Sequence, residues 1–451
     1  MKRIITAIAA IVLLATMAQA KYVLIDGELQ SSEFSGCYPG TLHTYKVFVP
    51  EQYDGTKPAC LYVGLDGILC NAPEVMDSLI AAGKMPVTIG VFLQPGLIKD
   101  DKGNVIRYNR SNEFDMTDGT FAHFLESDLL PKVESEKTPD GRKIRLSKEA
   151  NDRMIFGLSS GGICAFKVAW FRPDLFSRVF SGVGTFVSMR GGHDLAAIVR
   201  KHEPQAIRFY LQDGTQDVWN GIFGHWYEAN QLMASALDFA GYKAGYDWSN
   251  CKHGVSQTNK IFSRVMEWMW RDYPEPIKYG HTQNDLLSVL LPKEHTEWVE
   301  ISTPRKVRRP GTPPSQSSIL DTYPDGSFYV SREEGSNWLV QTILKPKPCA
   351  QQRFYWLHSY DNALLHVPYA KFDSMGNLYV LTNAGIQICD QNGRVRGILA
   401  LPLGCDVHAV SGFVIRSGSI TIETPNGRGW VREFNIEPAT PGVTPKSQGQ
   451  G

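Results

Sequence analysis

One serine of the chain stands between two glycines, in the segment GLSSGG that begins at Gly157. The apolar run RMIFG leads into this segment, and the helical pattern GGICAFKVAWF follows the serine. A Gly-x-Ser-x-Gly spacing between a buried strand and a helix is typical of a nucleophile elbow, a strained turn that presents the serine oxygen. Ser159 is therefore the candidate nucleophile, and the alternative is a small residue in a structural turn.

A serine hydroxyl is a weak nucleophile unless a base takes its proton. Behind such an elbow, an acid and then a histidine are expected in loops that follow later strands. His253 follows a short strand and precedes a helical pattern, whereas His225 lies too close to the acid loop. The strand IRFYLQ is followed by Asp213 and Asp217. We prefer Asp217, because Asp213-Gly214 is typical of a turn.

These roles predict attack on an ester carbonyl, with the histidine as base and the aspartate holding the imidazole tautomer. The amide of Ser160, at a helix N-terminus, is expected to face the oxyanion. The loop GLDGILC is expected to supply a second donor, from the amide of Gly67 or Ile68. The chemistry requires no cofactor, and no cysteine–histidine cluster has the spacing of a metal site.

Aromatic residues surround the predicted acid and base in the sequence. They are candidates for the substrate-binding wall, and ordinary core packing is the alternative for each. The candidates are Trp219, Phe223, Trp226 and Trp248.

Strand-length apolar runs alternate with helical patterns around these residues. The predicted strands are 59–65, 87–93, 153–157, 178–184 and 207–212. The predicted helices are 72–83, 118–134, 161–171, 227–241 and 259–274. This alternation predicts an α/β fold, with a mostly parallel sheet sandwiched by helices.

The composition changes near residue 280. Residues 281–318 include a stretch rich in proline, serine and basic residues, which predicts a linker or loop. Residues 319–438 repeat short hairpins with turns at Gly326, Gly376 and an Asn-Gly pair, so we predict a smaller all-β, propeller-like domain. The polar tail 439–451 is predicted to be disordered.

The first twenty residues combine Lys2 and Arg3 with an apolar run and a final Ala-Gln-Ala. This pattern is typical of a secretory signal peptide, so we predict a periplasmic or secreted protein that keeps no membrane span after cleavage near Lys21. Basic and acidic residues number 46 each, and no charge surplus indicates a nucleic-acid partner. Among the eight cysteines, Cys164 is predicted to be a buried free thiol.

Several segments together resemble the bacterial enterochelin-esterase-like and feruloyl/acetylxylan-esterase-like hydrolases: 109–134, 157–166, 211–219 and 229–242. The resemblance covers about residues 35–275. It implies an α/β-hydrolase domain over 21–280, carboxylic-ester hydrolysis, and nucleophile, acid and base roles for Ser159, Asp217 and His253. The implied substrate is an acetyl or feruloyl group on carbohydrate, or another small ester, and the alternative is a siderophore ester of the enterochelin type.

The segments 290–301 and 372–402 resemble part of a gluconolactonase-type propeller. The available length suffices for about three blades of roughly 40–50 residues. HVPYAKF stands where the metal-binding aspartate of such propellers is expected, which disfavours lactone hydrolysis and favours an accessory module. Its open edges predict contact with a second subunit or with the first domain. A non-catalytic carbohydrate-binding protein on a hydrolase fold and a gluconolactonase-like enzyme are further alternatives.

Overall fold

A computed structural model describes residues 22–303, 319–347 and 350–445, so the predicted signal peptide lies outside the described residues. The described chain forms two compact units. The first comprises 22–192, 206–230 and 244–278, and the second comprises 193–205, 231–243 and 279–445. The second unit therefore begins near the predicted boundary, but it also includes two short segments from within 21–280.

Twelve strands lie in the first unit. They are β1 (Tyr22–Gln30), β2 (Leu42–Pro50), β3 (Cys60–Leu65), β4 (Thr88–Leu93), β5 (Leu97–Lys99), β6 (Val105–Tyr108), β7 (Arg153–Leu158), β8 (Arg178–Gly182), β9 (Arg208–Gln216), β10 (Trp219–Asn220), β11 (Gly224–His225) and β12 (Lys243–Lys252). β10 and β11 form a separate hairpin.

The other strands form a ten-stranded sheet in the order β12-β9-β8-β7-β3-β4-β2-β5-β6, with β1 on β2. β4, β3, β7, β8 and β9 are parallel neighbours. These are the five predicted strands, and the predicted α/β class is confirmed. Their carboxyl ends share one edge of the sheet, which is where a doubly covered parallel sheet places its ligands.

The described helices are α1 (Ala72–Ala81), α2 (Arg110–Phe114), α3 (Thr120–Phe124), α4 (Leu130–Ser135), α5 (Ser160–Phe171), α6 (Leu195–Lys201), α7 (Trp226–Phe239), α8 (Val255–Trp270) and α9 (Asp285–Leu290). The helix predicted over 118–134 is interrupted by a π-helical turn at Leu125–Leu129. Pro131 lies in the first turn of α4, and it has no N–H to continue the regular pattern. Within the described ranges, none of the helices combines the length and apolarity needed to cross a membrane.

The core of the first unit lies on both faces of the sheet. Every residue of β3, β4, β7 and β8 is buried, as expected for parallel strands covered on two sides. Met76 of α1 and Phe262 and Met266 of α8 belong to one apolar cluster with these strands. On α5, Cys164 is buried and free, as predicted.

The second unit contains strands β13 to β24, arranged in three four-stranded antiparallel sheets. The first is β14 (Ile319–Thr322), β15 (Phe328–Arg332), β16 (Trp338–Ile343) and β17 (Gln351–Trp356). The second is β18 (Tyr369–Phe372), β19 (Leu378–Thr382), β20 (Gly385–Cys389) and β21 (Val395–Leu399). The third is β13 (Val299–Ser302), β24 (Arg428–Glu433), β23 (Ser419–Glu423) and β22 (Gly412–Arg416).

This all-antiparallel unit confirms the predicted β domain, while its propeller arrangement stays a prediction. The described part of the predicted linker 281–318 is not a plain loop. It contains α9 and β13, and β13 is held in the sheet by its pairing with β24. The predicted disorder of the tail is wrong for residues 439–445, where the N–H of Gly442 donates to the carbonyl of Pro324. α6 belongs to this unit because Glu203, just after it, forms a buried ion pair with Arg432.

Candidate active site

Ser159 occupies the turn between β7 and α5, with φ of 58° and ψ of −120°. L-residues rarely adopt this region, and such strain concentrates at functional sites. Gly157 makes the turn possible, since a Cβ there would lie 2.2 Å from the carbonyl oxygen of Gly161. The carbonyl of Ser159 accepts the N–H groups of Gly162 and Ile163, which starts the helix immediately after the turn.

A continuous hydrogen-bond chain joins three loops at the carboxyl edge of the sheet. Nε2 of His253 lies 3.0 Å from Oγ of Ser159. Nδ1 of the same ring lies 2.6 Å from Oδ1 of Asp217. An ionised Asp217 only accepts hydrogen bonds, so Nδ1 carries the proton and Nε2 is left as the acceptor for the serine hydroxyl. The imidazole is therefore in the tautomer that general-base chemistry requires.

Asp217 follows β9 in a tight turn, where its N–H donates to the carbonyl of Gly214. Its side chain is fully buried. Burial opposes ionisation, but hydrogen bonds from His253, Asp213 and the Val218 amide outweigh it, so the pKa of Asp217 lies below its usual value. The carboxylate is thus ionised at neutral pH and able to stabilise an imidazolium.

The two rival residues occupy other positions. Asp213 lies inside β9 and not in the turn that its sequence indicated. No hydrogen bond joins it to His253 in the described structure; its carboxyl bonds instead to the N–H of Gly214 and the amide of Asn230. His225 ends β11, where Nδ1 faces the backbone of Glu228.

In the described structure, two of the three predicted oxyanion donors have an N–H that is not used in another hydrogen bond, and the third does not. The amides of Ser160 and Ile68 donate to no acceptor within the described residues. Gly67 is a correction: its N–H donates to the carbonyl of Leu93 at 3.0 Å. Asp66 and Gly67 both have positive φ, of 63° and 78°, and this turn directs the Gly67 amide towards the end of β4.

Comparison with known proteins finds a family match over part of the chain. Residues 39–219 match the family model described as a putative esterase. The chain is similar to this esterase family over about two fifths of its length. The protein is accordingly a carboxylic-ester hydrolase with an α/β-hydrolase fold. A search of the curated proteins found no match.

Solved structures of three esterases are similar to part of the chain. A ferulic acid esterase is 17% identical, over 56% of this chain and 99% of its own, with a TM-score of 0.41. The enterobactin esterase of Shigella flexneri is 17% identical, over 55% of this chain and 59% of its own, with a TM-score of 0.41. The S-formylglutathione hydrolase of Staphylococcus aureus is 15% identical, over 55% and 98%, with a TM-score of 0.39.

The esterase domain contains an ion pair that the sequence reading missed. Arg110 donates from Nε and Nη2 to the two carboxylate oxygens of Asp66, at 2.7 and 2.8 Å. The same Nη2 lies 3.4 Å from the carbonyl of Leu158, which directly precedes Ser159. Arg110 therefore connects the loop that holds Ile68 to the nucleophile turn.

Thr185 is a second residue that the sequence reading missed. Its Oγ1 lies 3.3 Å from Oγ of Ser159 and 3.3 Å from Nε1 of Trp226. Its N–H donates to the carbonyl of Ser159. Thr185 follows β8 at the carboxyl edge of the sheet, and that position is the signal by which the sequence would have indicated it.

The four aromatic candidates occupy different environments in the esterase domain. Trp226 is buried, and its ring meets that of His253 edge-on at 6.0 Å. Trp219 is 71% exposed on the β10–β11 hairpin directly after Asp217. Phe223 is half-buried in the turn of that hairpin. Trp248 stacks on Tyr246 and meets Tyr227 edge-on, which favours a packing role.

Proposed function

We propose that this esterase is an exported serine hydrolase that removes acyl groups, such as acetyl or feruloyl, from carbohydrate. The hydrogen-bond chain from Ser159 through His253 to Asp217 is the observation that carries the proposal. In this chain each distance is within hydrogen-bond reach, which is the geometric requirement for a nucleophile, its base and the group that orients the base.

In the first half-reaction, Oγ of Ser159 attacks the ester carbonyl carbon while Nε2 of His253 takes the hydroxyl proton. Asp217 stabilises the imidazolium that forms. The tetrahedral intermediate then collapses, and the imidazolium gives its proton to the leaving carbohydrate oxygen. Water deprotonated by His253 attacks the acyl-enzyme, and the carboxylic acid leaves as Ser159 regains its proton.

The negative charge of the tetrahedral intermediate needs fixed donors. The free amides of Ser160 and Ile68 are the proposed pair, because each N–H has no other acceptor in the described structure. Ser160 also begins α5, so the positive end of the helix dipole supports an anion there. One such donor typically contributes about 3 kcal/mol of transition-state stabilisation.

The proposed substrate class is supported by the surface beside the acid. Trp219 exposes most of its ring on a hairpin that starts two residues after Asp217. An exposed tryptophan is available to stack on a sugar ring or on the aromatic ring of a feruloyl group. Ile222, 82% exposed on the same hairpin, extends this apolar surface.

A substrate panel tests the proposal. The mature chain is assayed on nitrophenyl acetate, methyl ferulate, acetylated xylan and a triscatecholate ester, with Ser159→Ala as the paired variant. We expect hydrolysis of the first three substrates and loss of at least about 1,000-fold in the variant. Activity that survives Ser159→Ala would refute the proposed nucleophile, and turnover of the triscatecholate alone would replace the proposed substrate class.

Export and assembly are part of the proposal. The basic and apolar N-terminal sequence supports cleavage near Lys21 and a periplasmic or secreted location. N-terminal sequencing of the protein recovered from culture fluid and periplasm tests this. β22 is the end strand of its sheet, and this edge supports a dimer through the C-terminal unit. Light scattering on the purified protein will measure the oligomeric state.

A further inference from the structure

A second buried carboxyl lies behind the proposed acid. Asp213 is on β9, four residues before Asp217, and it is fully buried. Oδ1 accepts the N–H of Gly214 at 2.6 Å, and Oδ2 accepts the side-chain amide of Asn230 at 2.7 Å. In the described chain neither lysine nor arginine pairs with it. An ionised Asp213 would therefore be a buried charge without a counter-cation, which is strongly disfavoured.

Asp217 lacks a hydrogen-bond donor at one of its two carboxylate oxygens in the described structure. Its Oδ1 accepts from Nδ1 of His253 and from the amide of Val218. Its Oδ2 is buried, and no N–H or O–H of the described residues donates to it if every carboxyl is ionised. A buried acceptor left without a donor is destabilising, because it has lost its hydrogen bonds to water and gained none. The Asp213 carboxyl interacts with the Asp217 side chain directly, so one proton on Asp213 supplies the missing donor.

The two carboxyls have different proton affinities for physical reasons. Burial, followed by the hydrogen bond and the charge of Asp217, raises the pKa of Asp213 far above its usual value. The pKa of Asp217 is lowered, because the hydrogen bonds it accepts from His253 and Asp213 outweigh its own burial. His253 is hydrogen-bonded to Asp217, and Cys251 on the adjoining β12 lies beside Gly214. Neither of these titratable groups forms an ion pair with Asp213 in the described structure.

We infer that Asp213 is a positioning residue whose protonated carboxyl donates a hydrogen bond to Oδ2 of Asp217 and thereby directs Oδ1 at His253. This inference rests on the proposed function, since it assigns Asp213 a task within the proposed Ser–His–Asp chain. Asp217 is then held from both sides, by a neutral acid behind it and by the imidazole in front.

The contacts also explain why an acid is present and not an amide. Each Asp213 oxygen already accepts an N–H, from Gly214 or from Asn230. A protonated carboxyl oxygen accepts one hydrogen bond and donates another, whereas an amide nitrogen only donates. Asp213→Asn therefore keeps a donor for Asp217 but loses one of the two N–H contacts, and Asp213→Ala loses all of them.

Infrared difference spectroscopy on the full mature chain tests the protonation state. We expect the wild type to show a carboxylic-acid C=O band at neutral pH that shifts in D2O, disappears in alkaline buffer and is missing from Asp213→Asn. Asp373→Asn is the matched control, because Asp373 of the second unit is also buried with a raised pKa. The inference is overturned if the Asp213→Asn spectrum keeps every band of the wild type.

Kinetics test the positioning role with the same variants. We expect Asp213→Ala to lower kcat about 10- to 100-fold with little change in KM, as for loss of a hydrogen bond to a charged group. Asp213→Asn should recover most of that loss, and its activity should persist at alkaline pH where the wild type declines on ionisation of Asp213. Equal kcat in wild type and Asp213→Ala would overturn the inference. Failure of the proposed function is distinguished by Ser159→Ala, which leaves the infrared result unaffected.

Discussion

Arg110 offers a direct test of how the oxyanion loop is held. Its guanidinium binds both oxygens of Asp66 and reaches the carbonyl of Leu158, so it fixes the loop before Ile68 relative to the nucleophile turn. The two side chains are 38% and 22% exposed, which limits the pair to about 1 kcal/mol of stability. Its effect on rate is larger, because misplacing one oxyanion donor removes up to about 3 kcal/mol of transition-state stabilisation.

We therefore expect Arg110→Ala to lower kcat/KM on nitrophenyl acetate by about 10- to 100-fold while the free energy of unfolding falls by only about 1 kcal/mol. Arg110→Lys keeps the charge but loses the two-pronged contact, so it should recover less than half of the loss on a logarithmic scale. Steady-state kinetics and urea unfolding measure both quantities.

Arg264→Ala is the matched control, because Arg264 pairs with Asp247 on the surface and touches neither loop. It should leave kcat/KM unchanged. The reasoning fails if Arg110→Ala keeps more than half of the wild-type kcat/KM, or if its loss of activity is matched by an equal loss of stability.

Three further predictions concern strain, pH and substrate contact. Ser159→Gly should be more stable than Ser159→Ala by about 1 kcal/mol in urea unfolding, because only glycine relieves the positive φ; equal stabilities would mean that the turn is unstrained. Burial, and then Lys201, lowers the pKa of His358 to about 4. The unfolded chain therefore binds this proton first, and wild type should lose up to about 3 kcal/mol relative to His358→Gln between pH 6.5 and 4. Above pH 7 the difference between the two proteins' unfolding free energies should no longer change with pH, and parallel curves between pH 6.5 and 4 would contradict the assignment. Trp219→Ala should raise KM for methyl ferulate several-fold. Nitrophenyl acetate turnover and the melting temperature should stay nearly unchanged, because Trp219 is 71% exposed. A KM for methyl ferulate equal to that of the wild type would show that Trp219 is not part of the substrate surface.

The sequence alone was sufficient for those features that depend on local pattern. The alternation of apolar runs and helical periods predicted the five parallel strands, because residues buried on both sides of a sheet must be apolar. The glycines around Ser159 predicted the elbow, because a Cβ at Gly157 has no space. The order of strand ends placed Asp217 and His253 at the same sheet edge, and the observed distances of 2.6 and 3.0 Å agree with that placement.

The tertiary structure decided what depends on partners distant in the sequence. Asp213-Gly214 has the composition of a turn, yet β9 continues through it, because sheet pairing overrides local turn preference. The sequence places the Gly67 amide in the expected oxyanion loop, but in the folded chain its N–H donates to the carbonyl of Leu93. Arg110 reaches Asp66 across 44 residues, and no local pattern encodes such a contact. Side-chain partners of this kind are set by the packing of the whole chain, so the sequence indicates which residues carry chemistry, and only the folded structure shows which neighbours hold them.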